Sequence, residues 1–405
     1  MVLEFIIICL VILFFLNLSW KFSIFNFSSL FTLLYLIFYI FPAFDRIYGW
    51  NLVEFYLFDY DYGILQTQKL ILIFNMIIAL CFCVSFNLKF NFTKVIKIKN
   101  FNLDKKPSNT RIYFFLGSIL LIVIYLLKGN WEGAIYELFL PSRKQGLITS
   151  GYIKLFAFMV PTALSFYVSL KKVKKRYFIY LICLAMIFIS GQRKFIINFM
   201  FLIFLGESIG KNYNIKKIIK YSSIGVLLIP SIWYLRAIFS QIQRGTNFAD
   251  LTYSRSIMYL IFGSPSSGFE SILFYKKFEN FLDLDFLISI KYIAFSFIPR
   301  FIFSDKPETI SSIVKTKFNW SGNPSIFFTN ELDLNFGYLA PIIAIFSGYM
   351  LAKLINKNAV YSILLLSGVM TLFKAGFSYY ITESVFLIIS FYLINKILIS
   401  KWRLQ

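Results

Sequence analysis

The chain opens on MVLEFIIICLVILFFLNLSW, an apolar run as long as a helix that crosses a bilayer, and runs of roughly 17–25 such residues recur almost to its end. With 59% hydrophobic residues and 51 phenylalanines in 405 positions, it carries more apolar surface than one water-soluble core of this size can hide. The pattern predicts an all-α polytopic integral membrane protein. Glu4 stands where a signal peptide would carry lysines, and no small-residue cleavage site precedes Lys21, so the first run reads as a retained span. Cys9, Cys81, Cys83 and Cys183 all lie inside apolar runs of a chain without histidine, and they read as small core residues rather than as a disulfide or zinc framework.

Spans are expected near 2–20, 27–43, 69–88, 112–127, 152–170, 177–190, 195–208, 221–240, 336–352, 359–374 and 379–396, about eleven in all. Threading them alternately through the bilayer gives one face 22 of the 41 basic residues, KKVKKR at 171–176 among them, against only Asp104 and Glu207 of the 19 acids. By the positive-inside rule that face is cytoplasmic, with the amino terminus outside and the carboxyl terminus inside. The net charge of +22 then reports topology, and nucleic acid drops out as a partner.

Arginine does not follow lysine. Seven of the ten arginines (Arg46, Arg143, Arg193, Arg236, Arg244, Arg255 and Arg300) fall on or near the outer side, whereas 19 of 31 lysines fall inside. Lysine suffices for orientation, while arginine adds a planar fork that holds phosphate or carboxylate oxygens at two points. Local ion pairs with the outer acids are the plainer reading of the same bias.

Three regions follow: residues 1–240 with eight spans and short loops, one large outer segment at 241–335, and 336–405 with three spans and a cytoplasmic tail. Long ordered loops are usually functional, and this one carries pieces such as FLISIKYIAFSF that are too short to cross and suit helices at the outer interface. In FIPRFIFSDKP, Pro299 and Pro307 bracket Arg300 and Lys306 and restrict the backbone beside each charge, as a fixed anion would require; a solvated turn is the alternative. In NPSIFFTNELDLNFG, Glu331, Asp333 and Asn335 stand just before a span, where acids are costly unless they face a polar cavity. SGQRKF caps a tight helical hairpin that leaves Arg193 near the outer interface, and Arg143 in LPSRKQG, Arg244 in QRGTNF and Arg255 add further segments able to bring arginine to one cavity.

Asp59 with Asp61 and Asp283 with Asp285 have an acid-x-acid spacing that occurs in metal-holding transferases and also often by chance. GSPSSG at 263–268 reads as a flexible turn, and the chain has no Walker pattern, Ser/His/Asp set or Cys/His pair.

On SGQRKF at a span junction, the large late outer loop, FIPRFIFSDKP and NELDLNFGYLAP, the chain resembles the Wzy-type O-antigen and oligosaccharide repeat-unit polymerases. The resemblance implies a GT-C-like membrane glycosyltransferase in the cell inner membrane that works on its outer face. There it would join undecaprenyl-diphosphate-linked glycans into O-antigen, capsule or exopolysaccharide, with a chain-length regulator as a possible partner. Arg300 and Arg193 would stabilise the departing diphosphate, Arg143, Arg244, Arg255 and Lys306 would bind it, and no metal or other cofactor would be needed. Glu331 is then the first candidate for the general base, with Asp333 second and Asn335 beside them as a glycan contact. The related ligases depend on a loop histidine, which this chain lacks; a flippase would be expected to show two similar halves and short loops. A transferase with a catalytic acid in its first outer loop would make Asp59 or Asp61 essential.

The orientation is open to direct measurement. Cysteines introduced at positions 104 and 173 are expected to resist an impermeant thiol reagent in intact cells, and one at 247 to react. Labelling at 173 from outside would invert the topology.

Overall fold

The computed structural model describes residues 2–20, 26–49, 65–90, 108–127, 151–189, 193–208, 268–278, 287–296, 298, 303, 305, 307–318, 326–357, 359–374 and 376–399. Most of these residues are helical, and no strand lies among them. The chain divides into two compact units, one of residues 1–95 and 254–382, the other of 96–253 and 383–405.

In the first unit, α1 (Val2–Trp20) lies against α2 (Phe27–Tyr35) and α4 (Leu65–Lys89). Two polar contacts set its direction. Lys69 pairs with Glu4 at 2.7 Å where both helices begin, and Asn87 donates to Asn17 at 2.8 Å where both end, so α1 and α4 run parallel. Asn17 also donates to Thr32 at 2.9 Å, and Asn26, which caps α2 through the Ser28 amide, donates to Asn87 at 3.1 Å. Hydrogen bonds of this kind fix register between apolar helices that dispersion alone would let slide. α2 then widens into a π turn at Leu36–Ile40 before α3 (Phe41–Tyr48), whose second residue, Pro42, has no amide hydrogen to give.

The same unit contains the described helices of the 241–335 segment. Its short helices α9 (Gly268–Lys277), α10 (Ile288–Phe295) and α11 (Ile310–Lys317) share a small core of Phe274, Tyr275, Ile288, Ile310, Val314 and Ile326. The chain continues through α12 (Phe328–Phe336), a 3-10 turn at Gly337–Leu339, α13 (Ala340–Lys357), α14 (Ala359–Ser367), α15 (Val369–Lys374) and the start of α16 (Gly376–Ile399). Ring-to-ring packing links Phe31 to Phe82, Phe82 to Phe328 and Phe328 to Phe377, with centroids 5.1, 4.8 and 5.4 Å apart. These contacts explain the phenylalanine content: flat rings fill the space between helices with little rotamer entropy to lose.

The second unit holds α5 (Asn109–Leu127), α6 (Gly151–Leu170), α7 (Arg176–Ile189), α8 (Arg193–Ser208) and the rest of α16. In the turn after α6, Lys172 and Lys175 adopt left-handed backbone. Lys172 reaches the Gly206 carbonyl at 3.1 Å, and Glu207 accepts from Arg176 at 2.6 Å and Tyr180 at 2.9 Å. Cations on the end carbonyls of α8 suit the negative end of its dipole.

Helices occupy ten of the eleven expected spans; 221–240 lies outside the described residues. Among the described residues five helical stretches are long and apolar enough to cross a membrane: Val2–Trp20, Phe27–Tyr48, Leu65–Lys89, Phe328–Asn356 and Gly376–Ile399. Asn109–Val123, Met159–Leu170, Arg176–Ile187 and Asn198–Glu207 are shorter apolar helices. Two boundaries shift: the second helix runs past residue 43 to Tyr48 and takes Asp45 and Arg46 with it, and the segment expected at 336–352 starts with the polar turn of α12. Hydropathy stops where charges begin, whereas a helix continues as long as its backbone is paired and its charges are met.

α4 and α13 approach closely at Gly348, where a Cβ would strike the Phe82 carbonyl and the Ser85 hydroxyl. Gly348→Ala is therefore expected to destabilise the detergent-purified protein by about 1–3 kcal/mol, seen as a lower thermal midpoint. Gly117→Ala, where a Cβ meets nothing among the described residues, should leave the midpoint unchanged or slightly raised.

Candidate functional site

Helix α12 has the sequence FTNELDLNF, and its Asn330, Glu331, Asp333 and Asn335 are all buried. Four buried polar side chains within six positions cannot share one face of a helix, and between them they meet α4, α9, α10 and α16. Asn330 donates to the Gly268 carbonyl at 2.7 Å, at the start of α9. Glu331 accepts from the backbone amides of Phe377 and, at 3.3 Å, Ser378, the first turn of α16. Asp333 pairs with Lys276 of α9 at 3.1 Å and accepts from Asn75 of α4, also at 3.1 Å. Asn335 accepts from the Ser289 amide at 3.1 Å and donates to its hydroxyl at 2.9 Å, at the start of α10.

The Glu331 contact follows from helix-end chemistry. The first amides of α16 have no partner within their own helix, and a carboxylate there meets both those donors and the positive end of the dipole. Gly376, the first residue of α16, has φ +79°, and a Cβ on it would collide with Glu331 Oε2. Glycine is required twice over at this position, for the left-handed backbone and for the approach of the carboxylate.

A second charged group lies between α3 and α9. Arg46 Nε stands 3.7 Å from Glu270 Oε1, with Glu270 buried and the arginine side chain 16% exposed; Asp45, next to Arg46, is buried too. Burial pushes the Glu270 carboxyl up to about 7; Asp45 pushes the same way and Arg46 pulls against it. Lys276, six positions along α9, is a quarter exposed. On α9, α12 and α4 respectively, Tyr275 Oη, Asn330 Oδ1 and Asn75 Oδ1 are buried and lack a hydrogen-bond partner among the described residues.

Of the residues singled out in the sequence, Glu331, Asp333 and Asn335 come together on α12. They meet protein donors, where a polar cavity was expected. Arg193 opens α8, and its side chain is outside the description. Arg143, Arg244, Arg255, Arg300 and Lys306 lie outside the described residues, as do the acid pairs at 59 and 61 and at 283 and 285. Gly268, read as part of a flexible turn, begins a helix and packs so closely on the Phe327 ring that no side chain fits. Among the described residues no His, Cys, Asp and Glu side chains gather as a metal-holding group of three or more.

Sequence reasoning passed over Arg46 as one outer arginine among seven and missed Glu270, Lys276 and Asn75. A usable signal existed: Glu270 and Lys276 are charges inside the amphipathic GFESILFYKK, and Asn75 is a lone amide in the middle of an apolar run.

Gly376→Ala is expected to lower the thermal midpoint by the equivalent of roughly 1–3 kcal/mol, the range of backbone strain at one residue. Glu331→Ala, which strips the carboxylate from the same amides, should lower it by a similar or larger amount, and a double variant should fall short of the sum because both changes break one contact. No protein-family model matches the chain, and no curated protein or solved structure is significantly similar to it.

Proposed function

We propose that the protein is a membrane glycosyltransferase that polymerises undecaprenyl-diphosphate-linked oligosaccharide repeat units on the outer face of the cell inner membrane. The observation that carries this reading is α12: a buried NELDLN helix, two carboxylates and two amides, at the head of an apolar stretch long enough to cross a bilayer. Ionisable groups in a stretch of membrane-spanning length are by default candidates for a substrate site. The bias of arginine toward the outer segments adds to it.

In the proposed reaction a hydroxyl at the non-reducing end of an incoming repeat unit attacks the anomeric carbon of the growing chain. The bond from that carbon to the diphosphate oxygen breaks, and the electron pair leaves with the lipid diphosphate. Arg300 and Arg193 stabilise the charge that grows on the leaving group, with Arg143, Arg244, Arg255 and Lys306 binding diphosphate or glycan. A carboxylate accepts the proton of the attacking hydroxyl; Glu331 and Asp333 are the α12 candidates, and Asn335 lies beside them. This assignment also carries the finer topology, about eleven spans in a GT-C-like arrangement around the 241–335 segment, and a chain-length regulator as partner.

Purified protein supplied with a lipid-linked repeat unit as both donor and acceptor should form polymer. Arg300→Lys keeps the charge and loses two-point contact with phosphate, a charge-assisted bond worth roughly 1.5–3 kcal/mol, so transfer should fall about tenfold to a hundredfold. Arg403→Lys in the carboxyl-terminal tail should change nothing. Normal polymerisation by Arg300→Lys would leave FIPRFIFSDKP as a structural turn, and flipping of the lipid without polymer formation would favour a transporter.

A further inference from the structure

One stripe along α2 and the π turn after it is polar. Ser28, Thr32, Tyr35 and Tyr39, spaced three or four positions apart, are all buried and share one helix face. The first two are met by protein: Asn17 donates to Thr32 at 2.9 Å and to Ser28 at 3.3 Å, and the Ser28 hydroxyl donates to the Cys83 carbonyl at 3.4 Å. The last two are not. Tyr35 and Tyr39 stack with ring centroids 4.6 Å apart, and both hydroxyls are buried without a hydrogen-bond partner among the described residues.

These hydroxyls lead to Asp333. The Tyr35 side chain stands beside Thr329, and Tyr39 is within electrostatic reach of the Asp333 carboxylate. Thr329 and Asp333 are one turn apart on α12 and so lie on the same face. Asn75 of α4 gives an amide N–H to Asp333, which brings its Oδ1, on the same planar group, to the carboxylate as well. That oxygen and Thr329 Oγ1 are also unpartnered among the described residues, and Tyr35, Tyr39, Asn75 and Thr329 are all between 0% and 1% exposed. An amide oxygen can be met only by a donor or a cation, and buried polar atoms in native proteins are met. Oxygens gathered from α2, the π turn, α4 and α12 around one carboxylate therefore call for a ligand.

We infer that Tyr35, Tyr39, Asn75, Thr329 and Asp333 form a binding site for an alkali-metal cation, a function independent of the glycosyl-transfer reading. Every atom of the set is a hard oxygen, which disfavours a soft metal. The orphaned oxygens have no surface open to water, so the hydrated shell that magnesium keeps does not fit, and the charge of a single carboxylate matches a monovalent ion. Lys276 sets the affinity. Its ammonium pairs with Asp333 at 3.1 Å and its side chain is 25% exposed, so it can give up the carboxylate for solvent as the metal ion arrives. Ammonium and metal ion then compete for one carboxylate.

The full chain, purified in detergent, is melted in the chloride salts of choline, sodium and potassium at one ionic strength, which holds screening constant. The midpoint in sodium or potassium should exceed that in choline and keep rising with the logarithm of ion concentration above Kd, because the ion binds the folded state alone. Thr329→Val and Tyr39→Phe each remove one ligand oxygen at nearly constant shape and break no hydrogen bond among the described residues. Both should lose the response or need at least about tenfold more ion for its onset. Lys276→Gln removes the competitor, and the onset should move to an ion concentration at least about tenfold lower. The response is the difference between salts within each variant, so a variant of lower midpoint still reports it. A wild type that melts alike in all three salts overturns the site, as does a response that Thr329→Val and Tyr39→Phe both keep unchanged or that Lys276→Gln weakens. Polymer formation enters none of these measurements, so the glycosyl-transfer reading stands or falls separately.

Discussion

A carboxylate placed among apolar helices stays charged only if donors replace the water it has lost, and an unmet one costs several kcal/mol. The Glu331 carboxyl group is met by the first amides of α16, and the contact organises much of the first unit. It needs a glycine at Gly376 and holds the first turn of α12 against the beginning of α16. Asn335 donates to the Glu331 carbonyl at 2.6 Å and binds the start of α10, so the following turn of α12 also anchors that helix.

The rest of α12 works in the same way on other neighbours. Asn330 holds the start of α9, and Asp333 ties Lys276 of that helix to Asn75 of α4. Polar contacts like these are directional, whereas the phenylalanine packing around them is not, so the amides and carboxylates select one arrangement among many that would bury the same rings. The short helices α9 and α10 can therefore be fixed in place although neither is long enough to cross a bilayer.

This arrangement separates two tasks that the sequence presented as one. Acids in a membrane segment can hold helices together or take part in chemistry, and composition does not distinguish them. Glu331 meets the first amides of α16 and Asp333 meets Lys276 and Asn75, while burial pushes the Glu270 carboxyl up to about 7 against the pull of Arg46. Difference in environment, not difference in residue type, is what divides structural from reactive carboxylates.

The apolar runs by themselves determined that the chain is helical and where its helices lie, because a run of that length has to be covered by lipid or by protein and a helix pairs its own backbone. NELDLN was recognisable for the same reason: charge is conspicuous where everything around it is oily. The sequence could not show what those charges meet. Glu331 lies 46 positions from Phe377, Asp333 lies 258 from Asn75, and Arg46 is separated from Glu270 by more than half of the chain. Only tertiary packing brings such groups together, and the sign, distance and burial of the neighbour, none of which is a property of the residue alone, decide whether an acid is a helix cap, one end of an ion pair or a group able to exchange a proton.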